Sequence, residues 1–232
     1  MNEREKLEIL TKAKNFFREE IIEYHKKNTL VLKSKKKFNI NPFLINYLSR
    51  FAFGSTNKFE LAKVLIYPRI LGTSINTTFG KRLQKFCCEN FDNVNGSTTK
   101  GIDIEFLDCI DHRKKYCQIK SGPNCINNDD VDTITNHFNK IKNIARQNNI
   151  RDINPSIDFI VGVLYGERHE LSSSYRTLEN DFVVSIGQEF WHRLTGDENF
   201  YNELINSFVS IADEVDSTDL INEVIQELSE QL

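Results

Sequence analysis

Apolar residues recur at steps of three or four early in the chain, at Leu7, Leu10, Phe17, Ile21 and Tyr24, so it opens with a helix bearing one apolar stripe. The stretch KKNTLVLKSKKKFNINPF, 26 to 43, breaks that period and reads as an irregular or briefly extended connection, with Asn41-Pro42 starting the next helix. The pattern then predicts helices near 42 to 52, 57 to 67 and 76 to 91, separated by Gly54-Ser55 and by Pro68 through Ser74. From 98 to 124, TTKGIDIEFLDCIDHRKKYCQIKSGPN, the period changes to two, which predicts a pair of strands joined by a polar turn. The segment NNDDVDTITNHFNKIKNIARQ returns to a helix, with an acidic first turn, basic later turns and Asn127 or Asn128 to cap it. Strands follow near 157 to 165 and 181 to 186, the first almost continuously apolar and therefore central. A short helix with Phe190 and Trp191, another from near Asp197 and an amphipathic one from about Ser217 complete the order. Helices, a hairpin, a long helix, two strands and more helices make an α/β fold in which a mixed sheet is flanked by helices.

Composition narrows the class. The chain has 232 residues, enough for one domain or a domain with a helical appendage. It shows no membrane-length apolar run, and its charged start, MNEREKLEIL, lacks a signal peptide's apolar stretch, so a soluble, cytoplasmic protein without a membrane partner is expected. Five cysteines, at 87, 88, 109, 117 and 125, lack the paired spacing of a zinc site and read as reduced thiols. The formal net charge of −3 does not exclude a nucleic-acid partner, because phosphate contacts are local. Lys26, Lys27, Lys33, Lys35, Lys36 and Lys37 crowd one stretch, which fits either a solvated face or contact with a DNA backbone.

The hairpin changes the picture most. Alternation puts Asp103 and Glu105 on one strand face and Gln118 and Lys120 on one face of the next strand, so a carboxylate, an amide and an ammonium can meet. Such a hairpin can simply have a wet side. Here, however, the polar residues interrupt the strand formers Ile102, Ile104 and Phe106 and, across the turn, Tyr116, Cys117 and Ile119. A carboxylate able to hold a hard divalent cation beside a lysine suits phosphodiester hydrolysis.

The blocks TSINTTFGKRLQKF (73 to 86), GSTTKGIDIEF (96 to 106), YCQIKSGPNCINNDDV (116 to 131) and IGQEFWHRLTGDENFY (186 to 201) resemble the PmeII family of type II restriction endonucleases, within the PD-(D/E)XK nuclease superfamily. The resemblance implies a restriction-endonuclease-like sheet, Mg²⁺, a double-stranded DNA substrate and a cognate methyltransferase. It makes Asp103 the metal-binding aspartate and Lys120 the lysine of the motif. Gln118 then stands where the superfamily usually has Asp or Glu, and an amide oxygen can ligate a cation but brings no charge. The backbone carbonyl of Ile119 is a further donor. Glu105, or Glu60 in KFELAKVL, can supply the missing charge, and each equally fits a solvated residue. An inactive site is the third alternative.

Ser121 and Asn124, just past Lys120, fit DNA contact or a plain turn, and GSTTKG, 96 to 101, fits a phosphate contact or a loop entering a strand. His112 reads as a solvated turn residue, and His137 and His192 have no partner at metal-ligand spacing and stay outside the site. The expected organisation is a helical region at 1–56 used for dimerisation and DNA-backbone contact, a PD-(D/E)XK-like catalytic domain at 57–210 and a C-terminal helix at 211–232. A homodimer suits a palindromic duplex site, and surplus helices at either end would form it. The reading is a Mg²⁺-dependent, site-specific deoxyribonuclease. Its rivals are a structure-specific repair or junction-resolving nuclease and an inactive DNA-binding protein of the same fold.

Overall fold

The opening stripe folds as helix α1 (Glu3–Phe16), a π-helical turn (Phe17–Ile22) and helix α2 (Glu23–Leu30) without a break. The computed structural model describes residues 1–149, 152–212 and 214–232, with the backbone alone for Thr73 and Ser74. Helices α3 (Ile45–Phe53), α4 (Lys58–Pro68) and α5 (Ser74–Asn90) precede strands β1 (Val94–Gly96), β2 (Ile104–Leu107) and β3 (Lys114–Lys120). Then come α6 (Asn128–Gln147), α7 (Pro155–Asp158), β4 (Phe159–Val163), α8 (Ser173–Leu178), β5 (Val183–Ile186), α9 (Gln188–Thr195), α10 (Phe200–Ala212) and α11 (Thr218–Ser229).

Local chemistry accounts for most of these boundaries. Gly54 ends α3 in the left-handed region at φ 71°, and Asn57 caps α4 by accepting from the Glu60 N–H at 2.9 Å. Asn127 and Asp130 cap each other's backbone at the start of α6. Two expectations need correction. The connection from 26 to 43 is helical to Leu30 and then makes 3₁₀ turns at Val31–Lys33 and Lys35–Lys37, and Asn41-Pro42 lies in a turn before the helix that starts at Ile45. Pro68 does not stop the chain either: a π-helical turn, Arg69–Thr73, follows it directly and runs into α5.

The chain packs as two compact units, residues 1–13 with 80–207 and residues 14–79 with 208–232. The first unit holds a five-stranded mixed sheet in the order β1-β2-β3-β4-β5, antiparallel from β1 to β3 and parallel from β3 to β5. On one face, Ile134, Phe138 and Ile141 of α6 and Tyr175 and Leu178 of α8 pack on Phe159, Val161, Val163, Val184 and Ile186. On the other, Phe190 of α9 meets Phe106 edge-on at 6.4 Å and occupies the space a Cβ would need at Gly162. All five residues of β4 are therefore buried, as its apolar run foretold.

In the second unit α4 and α11 bury Ala62, Ile66, Ile70, Val224, Ile225 and Leu228 together with Leu32. Arg18 forks onto the Glu214 carboxylate at 2.6 and 2.8 Å. One face of α3 and its leading turn has no cover: Phe43, Tyr47 and Phe51 are 90%, 60% and 77% exposed. The five cysteines are free thiols, and no helix among the described residues is long and apolar enough to cross a membrane.

Candidate active site

The antiparallel register of β2 and β3 sets the site. Ile104 pairs with Cys117 and Glu105 with Tyr116, and the Asp103 N–H donates to the same Cys117 carbonyl at 3.0 Å, so Asp103 and Ile104 both face Cys117. The paired register begins at Ile104, and Asp103, one residue before it, is tied to β3 by its own N–H and by its side chain. Lys120 and His137 lie close enough to Asp103 for their charges to act on its carboxyl. Asp103 Oδ2 accepts the Ile119 N–H at 2.7 Å, which fixes the carboxylate against β3. Burial raises the Asp103 pKa above the ordinary carboxylate range, and the Ile119 N–H, Lys120 and His137 pull it back only in part.

The backbone of β3 contributes as well. Leu164 donates its N–H to the Lys120 carbonyl at 2.9 Å, on the β4 side. By strand alternation the Ile119 carbonyl points the other way, toward β2 and Asp103. Gln118 is buried, and its Nε2 lies 3.1 Å from Nδ1 of His137 on α6. Burial, then Lys140 and Lys100, holds the His137 imidazole below its usual pKa, with Asp103 pulling the other way. His137 is thus a residue of the site that the spacing argument left out. The backbone of Gly101, at φ 89°, runs against its ring, and a Cβ there would overlap it.

The remaining predicted residues have other partners or other places. Glu105 holds Lys114 at 2.7 Å and the Ser97 hydroxyl at 2.6 Å, and these outweigh burial to keep its carboxyl below the ordinary range. Glu60 belongs to α4 of the second unit, where Oε1 lies 3.2 Å from the Lys63 ammonium and Oε2 is buried without a hydrogen-bond partner. Lys33 lies 2.6 Å from Glu223 and 2.7 Å from Glu227, whereas Lys35, Lys36 and Lys37 are exposed on their 3₁₀ turn. Ser121 is half-buried and Asn124 is exposed, on a turn anchored by Tyr175, whose hydroxyl donates to the Gly122 carbonyl at 2.9 Å. His112 is exposed at φ 56° in the hairpin turn, as its sequence context suggested.

No group of three or more His, Cys, Asp or Glu side chains among the described residues is placed to hold a metal ion. The oxygens that Asp103, Gln118 and Ile119 carry are one carboxylate, one amide and one backbone carbonyl. All three are hard oxygens, a set that suits a cation keeping several waters and completing its shell with phosphate, as Mg²⁺ does. Of the three, only Asp103 brings a charge.

A family model described as type II restriction endonuclease EcoO109I matches residues 11–216. No curated protein matches the chain. The matching family differs from the PmeII family that the sequence blocks resemble, and both are type II restriction endonucleases.

Proposed function

The chain belongs to the family of the type II restriction endonuclease EcoO109I, and from that membership we propose that it hydrolyses double-stranded DNA at a specific site with Mg²⁺. The observation that supports the reading is the Asp103 carboxylate held against β3 by the Ile119 N–H at 2.7 Å, with Lys120 close enough to act on its charge. A divalent cation held there would offset charge building on the phosphate and acidify water. Asp103 gives the anionic ligand, Gln118 Oε1 and the Ile119 carbonyl the neutral ones. Lys120 steadies the nucleophile or a phosphate oxygen. Glu105, occupied by Lys114 and Ser97, keeps to its ion pair.

Lys100 and Lys140 lie near enough to depress the His137 pKa, and they give the pocket the positive surroundings a phosphodiester needs. Ser121 and Asn124, and the exposed Lys35, Lys36 and Lys37, are the further DNA contacts in this reading. A second copy covers the bare face of α3, making the two-fold dimer that cuts both strands of a palindrome.

Digestion of long unmethylated phage DNA by the purified protein tests this. Discrete bands with Mg²⁺ and none with EDTA are expected, and they vanish with Asp103→Ala. Gln118 favours one other reading, a DNA-binding protein without catalysis, since a neutral amide replaces a carboxylate in the pocket. That protein would shift DNA in a gel and leave it intact with both Mg²⁺ and Mn²⁺.

A further inference from the structure

A glutamine in a cation site raises a problem that a glutamate does not. The two ends of its amide are nearly equal in size but opposite in polarity, and only the oxygen can ligate a cation. A carboxylate sharing a cation with it, as Asp103 would, attracts the NH₂ end, which would put donor protons where the ion has to bind. A partner elsewhere must therefore accept from the amide nitrogen. Gln118 Nε2 has such a partner 3.1 Å away in Nδ1 of His137.

The ring is held from several directions. Its helix starts at the reciprocal Asn127–Asp130 cap, and Ile134, Phe138 and Ile141 anchor that helix in the core on either side of His137. Gly101, one residue before the strand formers that lead into Asp103, passes so close that any side chain there would overlap the imidazole. A ring fixed in this way presents Nδ1 in one direction.

We propose that His137 is a positioning residue, which accepts from Gln118 Nε2 and thereby turns Gln118 Oε1 toward the Asp103 carboxylate as a metal ligand. The inference rests on the cation reading of the Asp103 pocket. In effect, the pair of Gln118 and His137 replaces the single carboxylate usual at this position, with orientation supplied by a second side chain instead of by charge.

The test is a double-mutant cycle on the full chain, read as Mn²⁺ affinity by calorimetry and by the Mn²⁺ electron-spin-resonance signal, with no DNA present. His137→Ala is expected to weaken Mn²⁺ binding about tenfold, the loss typical of removing a residue that orients a metal ligand. In a Gln118→Glu background the same change should matter less than about threefold, because a carboxylate has no wrong end. Melting temperatures check that each variant is folded. If His137→Ala unfolds the protein, His137→Leu keeps bulk against Gly101 without an acceptor and takes its place in the cycle. Equal losses in both backgrounds, or no loss with Gln118 present, overturn the inference while the pocket reading stands. Wild-type protein that takes up no Mn²⁺, or uptake that survives Asp103→Ala, overturns both.

Discussion

Asp103 sits where burial works against its charge, and the groups around it compensate only partly. Its folded pKa lies above the ordinary value, so the stability it contributes is present at low pH and is lost as pH rises through that raised pKa. At neutral pH the ionised carboxylate therefore weakens the metal-free fold. Asp103→Asn is expected to raise the melting temperature of metal-free protein by about 2–4 °C, the equivalent of ~1 kcal/mol in a chain of this length, while abolishing cleavage. Mn²⁺ should raise the melting temperature of the wild type and leave that of the variant unchanged; a variant that melts lower without metal would show that Asp103 supports the fold instead. Gln118→Glu restores a second charge and is expected to lower the Mg²⁺ concentration for half-maximal cleavage about tenfold, ~1.4 kcal/mol of affinity. An unchanged Mg²⁺ titration would remove Gln118 from the ligand set. The β2–β3 hairpin was legible because strand alternation is strict. His137 was not, since it reaches Gln118 from a helix 19 residues away and no spacing rule joins the two. The available signal was its place on α6 beside Phe138, next to the apolar stripe.

The hairpin as an element has a second ionic feature at its turn end. Lys115 is fully buried, with its ammonium on Asp111, 3.6 Å from Asp158 and 3.9 Å from the equally buried Asp108. Arg113 clamps Asp158 at 2.6 and 2.7 Å, and Arg193 reaches across from α9 to Asp108. Removing one member of such a group leaves an uncompensated charge in a dry place, whereas the intact group roughly balances its own desolvation. Lys115→Met, which keeps the volume and deletes the charge, is expected to cost about 3–5 kcal/mol in urea unfolding. A loss under ~1 kcal/mol would mean that water reaches the cluster. Period two places Lys115 on the inward face with Cys117, yet nothing in the local sequence says that three aspartates will surround it, because Asp158 arrives from α7. The same distinction runs through the elements. Long periodic stretches such as α6 and the apolar run of β4 were legible. The three-residue edge strand β1 and the short α7 and α8 were not, for they carry too few residues to show a period and depend on neighbours for their hydrogen bonds.

For the whole molecule, the exposed face of α3 is the surface on which the proposed dimer is tested. Phe43, Tyr47 and Phe51 follow one another at helical spacing with little to shield them, a liability on a monomer in water. Tyr47→Glu together with Phe51→Glu is expected to convert a dimer into a monomer in sedimentation at micromolar concentration, with Mn²⁺ binding retained. A wild-type chain already monomeric there would rule out this surface. Neither compact unit is a continuous stretch: the first needs residues 1–13 besides 80–207, and the second joins 14–79 to 208–232. This has a consequence for the chain as it is being made. A ribosome that has passed residue 137 has already polymerised Asp103, Gln118, Lys120 and His137, but β4 and β5, which complete the sheet around them, do not yet exist. The core of α4 stays open longer still, until Val224, Ile225 and Leu228 have been added. Chains stalled at residue 150 are thus expected to be digested throughout by a protease, with resistance appearing only past 208. Any capacity to cut DNA in the cell that is making the protein would then arise only once residues up to 207 have been added, leaving shorter chains harmless.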